Sequence, residues 1–237
     1  MKDQLKKFPK ISGPLRSFYN MYFGEKEIKP IFKLLKVEKK KYVFFDVGAN
    51  YGVYSFLFSK NSIFSYIFEP VSECIEYIRK GYRYKNIVMV NKAVSNSNQS
   101  KTLNMPIENG NIVFGRSSIQ NNYKNVNQIE VKCTKLDNYI DEVKQYNPRI
   151  IFIKIDVEGH ENQVIEGAIN LISQNQTLLL VEIEKRHNTE YINVFNKLKE
   201  LNFKGYIYEN KQLIEINLTT KLEEIMNNNN NFIFKNY

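Results

Sequence analysis

The residues Asp46-Val47-Gly48-Ala49-Asn50-Tyr51-Gly52 carry the strongest structural signal in the sequence. They follow the short apolar run Tyr42–Phe45, which is typical of a strand buried on both faces, and they lead into a helical pattern. Gly48 allows a sharp bend and a close approach of a ligand to the backbone. Asn50 tolerates left-handed dihedrals, and Gly52 permits close packing of the new helix on the sheet. Such a strand, loop and helix form the nucleotide-binding corner of doubly wound α/β folds.

A carboxylate follows the next predicted strand. Glu69 comes directly after the apolar run Ile63–Phe68, 21 residues beyond Gly48. An acidic side chain there can accept hydrogen bonds from both hydroxyls of a ribose. The glycine spacing differs from G-x-G-x-x-G, which disfavours a dinucleotide-dependent oxidoreductase. The sequence contains no G-x-x-x-x-G-K-[ST], which excludes the phosphate-loop nucleoside triphosphatases.

Apolar runs of strand length alternate with helical periodicity along most of the chain. Further buried strands are predicted at residues 87–90, 150–155 and 178–183. The helical patterns between and after them cover residues 71–81, 164–172 and 191–201. This alternation implies right-handed crossovers and predicts an α/β fold, with a mostly parallel sheet and helices on both faces.

We expect one domain, residues 41–237, preceded by a helical N-terminal extension, residues 1–40. Apolar side chains in the extension recur at helical spacing, among them Leu15, Phe18, Tyr19 and Tyr22. Residues 95–135 interrupt the alternation with polar sequence and short β-like runs, which predicts a β-rich insertion or lid beside the sheet. The C-terminal residues 203–234 favour strands over helices.

The composition is that of an ordinary globular protein, with 43% hydrophobic and 25% charged residues. No apolar run approaches the ~20 residues of a membrane-spanning helix, and no secretory signal is visible. The net charge of +9 could attract nucleic acid, an anionic membrane or an anionic substrate, but its even spread favours a solvated, lysine-rich surface. Cys74 and Cys133 are too few for a disulfide framework, so we expect reduced, buried thiols and a cytoplasmic location.

The order and spacing of several short motifs resemble those of the FkbM-type methyltransferases, a family within the seven-stranded, S-adenosylmethionine-dependent class. The motifs are DVGANYGVYS (Asp46–Ser55), FEP (Phe68–Pro70), NKAVS (Asn91–Ser95), LDNYI (Leu136–Ile140), KIDVEGHE (Lys154–Glu161) and VEIEKRH (Val181–His187). The resemblance implies a Rossmann-like seven-stranded sheet and S-adenosyl-L-methionine as the cofactor. The cofactor-binding residues that it implies are Asp46, Gly48, Asn50, Gly52, Glu69 and Ala93.

Methyl transfer from a sulfonium is an in-line displacement, so the enzyme needs mainly to position the acceptor and to remove its proton. Asp156 follows the predicted strand 150–155 at the carboxyl edge of the sheet, where ligands of open α/β folds bind, and Glu158 lies two residues further on. We interpret Asp156, Glu158 and His187 as the candidate catalytic groups. Asp156 could instead cap the next helix, and His187 could be a surface residue.

Four carboxylates near this edge resemble an oxygen-ligand site for Mg²⁺: Asp156, Glu158, Glu182 and Glu184. Acidic edges are common in this fold, so no metal is predicted. Lys154 shares a strand face with Asp156 and can pair with a carboxylate. His160 is expected to be a solvated residue in the first turn of the next helix.

The resemblance implies methyl transfer to a hydroxyl oxygen, and we predict a carbohydrate or glycoconjugate as the acceptor. An RNA ribose 2'-O-methyltransferase is the alternative, suggested by the net charge of +9 and by Lys154 and Lys185 near one edge of the sheet. A second alternative is a non-catalytic partner subunit that keeps the cofactor fold. A small molecule or glycan is therefore the expected partner, with nucleic acid less favoured, and the oligomeric state stays open.

Overall fold

The computed structural model describes residues 8–37, 41–82, 85–121, 123–186, 188 and 190–237. The strands are β1 (Tyr42–Val47), β2 (Phe64–Phe68), β3 (Ile87–Val90), β4 (Ala93–Val94), β5 (Lys101–Glu108), β6 (Asn111–Ile112), β7 (Val126–Val131), β8 (Cys133–Thr134), β9 (Ile150–Ile155), β10 (Thr177–Glu182), β11 (Lys204–Glu209), β12 (Gln212–Ile216) and β13 (Asn231–Lys235). The helices are α1 (Pro9–Phe23), α2 (Ile28–Val37), α3 (Val53–Phe58), α4 (Ser72–Gly81), α5 (Ile140–Tyr146), α6 (Glu161–Glu166), α7 (Ile169–Ser173), α8 (Tyr191–Glu200) and α9 (Leu222–Met226).

The central sheet contains eight strands among the described residues, in the order β12-β11-β13-β10-β9-β1-β2-β3. The five strands from β10 to β3 are parallel, whereas the pairings of β13, β11 and β12 are antiparallel. The prediction of seven strands was therefore wrong in number, and the sheet is mixed. The extra strand is β12, which a two-residue turn at Asn210 and Lys211 folds back on β11, with φ of 50° and 62°. Such left-handed turn residues match the twist of a β-hairpin.

Helices cover both faces of this sheet, because alternate residues of each strand point to opposite sides. Val43, Phe45 and Val47 pack in one core cluster with apolar residues of α6, α7 and α8. Tyr42 and Phe44 point the other way, into a cluster with apolar residues of α2 and α3. The central strands β1 and β9 are buried along their whole length. The carboxyl ends of β1 and β9, where the motifs lie, are therefore held in place by fully buried strands.

Residues 93–134 form two small sheets beside the carboxyl edge of β1, β2 and β3. One is antiparallel, with β5 between β6 and β7, and the other pairs β4 with β8 in parallel. Their apolar side chains, including Leu103 and Met105, pack in one cluster with residues of α4. Cys74 and Cys133 lie in this same cluster as buried thiols. The insertion is thus fixed to the domain by its own small core.

Helix α1 packs on α3 and α4 through small residues. Ser12 Oγ lies 2.6 Å from the hydroxyl of Tyr77, and Gly13 lies against the ring of Phe56, where a Cβ would clash. The apolar side chains whose spacing predicts this helix point instead to solvent. No helix of the described residues is both long and apolar enough to cross a membrane.

Candidate active site

The loop between β1 and α3 is held against the end of β9. Gly48 has φ of 74°, and a Cβ built on it would lie 1.9 Å from the carbonyl oxygen of Asp156. Asn50 also has a left-handed φ, of 50°, and Gly52 begins α3 with φ of 78°. Only glycine fits at Gly48, because any side chain would clash with the neighbouring strand end. The loop therefore presents bare backbone at the carboxyl edge of the sheet.

Glu69, at the end of β2, holds this loop from the other side. One carboxylate oxygen accepts the N–H of Asn50 at 2.7 Å, and the other accepts the N–H of Val71 at 2.8 Å. Burial raises the pKa of the Glu69 carboxyl to about 7, and the two backbone donors act against that increase. Each oxygen keeps a second lone pair, so the side chain can still accept hydrogen bonds from a ligand.

A cleft of about 590 Å³ opens above the loop. The sequence-predicted residues that line it are Gly48, Asn50, Glu69, Ala93, Asp156 and Glu158. Apolar residues of the insertion, Leu103, Phe114 and Ile119, form its opposite wall. The insertion therefore covers the cleft, with polar groups on the sheet edge and apolar groups above them. Ligand sites in proteins commonly combine an apolar wall with a few directed polar groups.

Two of the residues predicted for the cofactor do not line this cleft. Asp46 is completely buried beneath the loop, where Ser55 donates a hydrogen bond to its Oδ2, and burial raises the pKa of its carboxyl. Within the described residues, its Oδ1 has no hydrogen-bond partner. Gly52 lies at the start of α3, where a Cβ would meet Ile78 at 3.0 Å. Both residues lie behind the loop and shape it.

Asp156 forms an ion pair with Lys154 at 2.8 Å. The Lys154 ammonium also donates to the carbonyl of Gly48 at 3.3 Å and lies 5.2 Å from the ring centre of Tyr54. Burial lowers the pKa of Lys154, but the Asp156 and Asp46 carboxylates outweigh burial and raise it overall. Lys154 is therefore a permanent cation, and it fixes the Asp156 carboxylate at the edge of the sheet.

The helix-cap interpretation of Asp156 does not fit the structure. Helix α6 begins at Glu161, whose own Oε1 accepts the N–H of Gly159 at 2.7 Å. Its Oε2 accepts the side-chain amide of Asn188, also at 2.7 Å. Asp156 lies five residues before the helix and pairs with Lys154 instead. Its carboxylate is thus available to a ligand.

Carboxylates crowd a small cavity of about 170 Å³ on the β10 side of Asp156. Its acidic lining consists of Asp156, Glu158, Glu161, Glu182 and Glu184. Burial, reinforced by the Asp156 carboxylate, raises the pKa of Glu158 to about 8 and that of Glu182 to about 9. No group of described histidine, cysteine, aspartate or glutamate residues has an arrangement that could hold a metal ion. In this acidic pocket, Glu158 and Glu182 therefore bind protons more tightly than ordinary glutamates do.

A third cavity, of about 500 Å³, lies between Asp156 and the N-terminal extension. The extension contributes Arg16, Asn20 and Glu25 to its wall, and the domain contributes Tyr54 and Lys154 among others. The Tyr54 hydroxyl donates to Glu25, and burial raises the pKa of that glutamate. This cavity could not be predicted from the sequence, because its wall joins residues of the extension to Lys154 and Asp156, which lie more than a hundred residues further along the chain.

The structure tests the sequence interpretation of one of the two histidines. His187 lies outside the described residues, so its candidate role stays a prediction. His160 is buried, not solvated: one ring nitrogen is 3.0 Å from Ser95 Oγ and the other 3.2 Å from the Gln120 amide. Burial lowers the pKa of His160 to about 4, so the ring is neutral. It lines the cleft and joins the insertion to the sheet edge.

Comparison with known proteins identifies the family. Residues 46–208 match the methyltransferase FkbM domain, which is more than half of the chain. The chain therefore belongs to the FkbM methyltransferase family and contains its methyltransferase domain. No curated protein matches the chain.

Solved structures agree on the fold. The methyltransferase FkbM from Methylobacillus flagellatus KT is 13% identical, with a TM-score of 0.50 over 83% of this chain and 44% of that one. This chain thus spans less than half of that protein. Magnesium protoporphyrin IX methyltransferase from Synechocystis PCC 6803, solved with its cofactor bound, is 9% identical, with a TM-score of 0.44 over 100% of this chain and 97% of that one. A likeness this distant carries no functional argument.

Proposed function

We propose that this FkbM-family chain transfers a methyl group to a hydroxyl oxygen, and that Asp156 holds the acceptor. The observation that carries this proposal is the position of Asp156, which lines the cleft, the acidic pocket and the third cavity at once. A carboxylate at such a junction is within reach of both a cofactor and an acceptor. Its ion pair with Lys154 keeps it in place.

The residues of the cleft fit the cofactor. Gly48 has no room for a Cβ and exposes backbone to the ligand, and Glu69 can accept hydrogen bonds from ribose hydroxyls. Ala93 and the apolar residues of the insertion suit the flat face of an adenine. S-adenosyl-L-methionine, when bound, supplies a methyl group on a sulfonium.

The chain's own task is then to orient the hydroxyl and to accept its proton. Asp156 can accept a hydrogen bond from the hydroxyl and so direct its oxygen at the methyl carbon. Glu158, with a pKa raised to about 8, holds a proton more tightly than an ordinary glutamate and is suited to take one near neutral pH. Transfer would form a bond between the acceptor oxygen and the methyl carbon as the bond from that carbon to the cofactor sulfur breaks. The hydroxyl proton would pass to the Glu158 carboxylate.

A carbohydrate or glycoconjugate is the acceptor that these groups favour. Sugar hydroxyls donate hydrogen bonds readily to carboxylates such as Asp156, Glu158 and Glu182. The Asp156 carboxylate would repel the phosphates of an RNA backbone. Lys154 does not compensate for this, because it is buried and already paired.

The test is methyl transfer from labelled cofactor to a panel of glycans and to capped and uncapped RNA, each at two salt concentrations. We expect transfer to a glycan, with little dependence on salt. Transfer to RNA alone, with an affinity that decreases steeply as salt increases, would overturn the proposal, because that slope reports phosphate contacts.

A further inference from the structure

Helix α1 presents an apolar face to solvent. Seven of the thirteen exposed large hydrophobic side chains in the described residues lie between Phe8 and Phe23. They are Phe8, Ile11, Leu15, Phe18, Tyr19, Tyr22 and Phe23, exposed by 49–76%. We call these seven residues the apolar patch. Soluble proteins expose single apolar residues widely, but a contiguous set of this size marks an interaction surface.

The arrangement around the helix is the reverse of the usual one. At about 100° per residue, Ile11, Leu15, Phe18 and Tyr22 lie on the side opposite Ser12, Gly13 and Ser17. The three small residues are buried against the domain, so the side of α1 that packs inward is its polar side. The domain therefore leaves the apolar face free while it fixes the orientation of the helix.

Basic side chains border the apolar patch. Lys10 is exposed on one flank of α1, whereas the Arg16 guanidinium turns toward the domain and lies 5.3 Å from the ring centre of Tyr51. The ammonium of Lys29 lies 4.6 Å from the ring centre of Tyr22, and Lys33 and Lys36 continue along the same exposed face of α2. The sequence has no acidic residue between Asp3 and Glu25. The charged side chains of α1 itself are thus all basic.

We propose that α1 docks the protein onto the surface of an anionic lipid membrane. Aromatic and aliphatic residues on one face with lysines at its borders are what an interfacial helix requires, because the rings enter the headgroup region while the cations meet lipid phosphates. At 15 residues and with basic flanks, α1 is too short to span and lies along the surface. A second copy of the chain fits less well, since a two-fold contact would bring the same cations together.

The test is sedimentation of the full chain with vesicles of phosphatidylcholine alone and with roughly 30% phosphatidylglycerol, at low and high salt. We expect binding to the anionic vesicles only, and weaker binding at high salt. The double variant Leu15→Ser, Phe18→Ser should lower the partition coefficient about a hundredfold, because two large apolar groups no longer enter the lipid. The matched control is Ile192→Ser, Ile214→Ser, which removes two exposed apolar residues elsewhere and should bind as the wild type does.

Circular dichroism and light scattering of each variant without vesicles complete the test. All variants should keep the helix content and melting temperature of the wild type, because the changed side chains are exposed. Failure to bind anionic vesicles, or equal binding to both kinds of vesicle, would overturn the proposal. So would a wild-type dimer that the α1 double variant converts to a monomer without any vesicle binding, since the apolar patch would then join two copies.

Discussion

The two sides of the cleft hold their carboxylates in opposite ways. On the β2 side, Glu69 accepts two backbone N–H groups and ties the glycine loop to the strand after it. On the β9 and β10 side, Asp156, Glu158 and Glu182 face one another around a small cavity, with Lys154 as the buried cation beside them. We propose that the first side recognises the cofactor and that the second exchanges protons.

This difference separates binding from chemistry. A carboxylate fixed by backbone donors can position a ribose without changing its own geometry. Burial, reinforced by the Asp156 carboxylate, raises the pKa of Glu158 and of Glu182, so these two side chains can bind a proton near neutral pH. Changes on the β2 side should therefore affect cofactor affinity, and changes on the β9 side should affect the rate of transfer.

The largest effect is expected from Asp156→Asn. An amide cannot carry the negative charge that orients the acceptor, so we expect kcat to decrease by ~10²–10⁴ while cofactor affinity changes little. Single-turnover transfer and calorimetry measure the two quantities. Asp141→Asn, an exposed carboxylate on α5, is the control and should keep full activity. A normal rate in Asp156→Asn would move the role to Glu158 or His187.

Gly48→Ala should distort the glycine loop that Glu69 holds on the β2 side of the cleft. The added Cβ meets the Asp156 carbonyl and the left-handed φ is strained, so we expect cofactor affinity to decrease by about a hundredfold or more. Gly110→Ala is a close control, because Gly110 has nearly the same φ, of 77°, and nothing within 4 Å of its added Cβ. Equal cofactor affinity in the two variants would show that the loop does not contact the ligand.

Glu69→Gln tests whether the negative charge of this side chain contributes to cofactor affinity. Hydrogen bonds to a charged acceptor contribute about 1.5–3 kcal/mol, so losing the charge should lower cofactor affinity about tenfold to a hundredfold. We expect kcat at saturating cofactor to stay near the wild-type value. Calorimetry measures the cofactor affinity of this variant and of the control variant Glu73→Gln, which changes an exposed residue of α4. Unchanged affinity would remove Glu69 from the ribose site.

The local signals in the sequence place residues on both sides of the cleft. Gly48 and Glu69 stand next to strands whose apolar runs are unmistakable, so their place at the sheet edge follows from the pattern. Asp156 is located by the same argument. Its ion pair with Lys154 is confirmed, because residues two apart on a strand share a face.

Long-range packing determines the features that the sequence could not predict. The apolar spacing of Leu15 and Phe18 predicts a helix, but only the contact of Gly13 with Phe56 decides which side is buried. His160 is buried because the insertion covers it, and nothing in its own neighbourhood indicates this. Strand β12 lies in the C-terminal region where the sequence favours strands, but the family resemblance implied a sheet of seven strands and so left this eighth one out.

The smallest effect concerns stability and pH. The folded-state pKa of Glu182 is raised to about 9, above its ordinary value of 4.5, so the folded protein holds a proton that the unfolded chain releases. The free energy of unfolding should therefore decrease as pH increases from 4.5 to 9. Glu182→Gln should reduce this decrease, whereas Glu215→Gln, an exposed residue of β12, should not. Chemical denaturation at pH 6 and pH 9 measures the free energy of unfolding of the wild type and of both variants. An identical decrease in all three proteins would contradict the burial argument.

The most direct test of the two-sided cleft is a crystal structure of the chain with S-adenosylhomocysteine, the demethylated cofactor. We predict that the ribose hydroxyls lie within about 3 Å of the Glu69 carboxylate, with the sulfur directed toward Asp156. A nucleoside bound in the third cavity, beside Arg16 and Glu25, would contradict the account. It would place recognition on the N-terminal extension and leave Glu69 without a ligand.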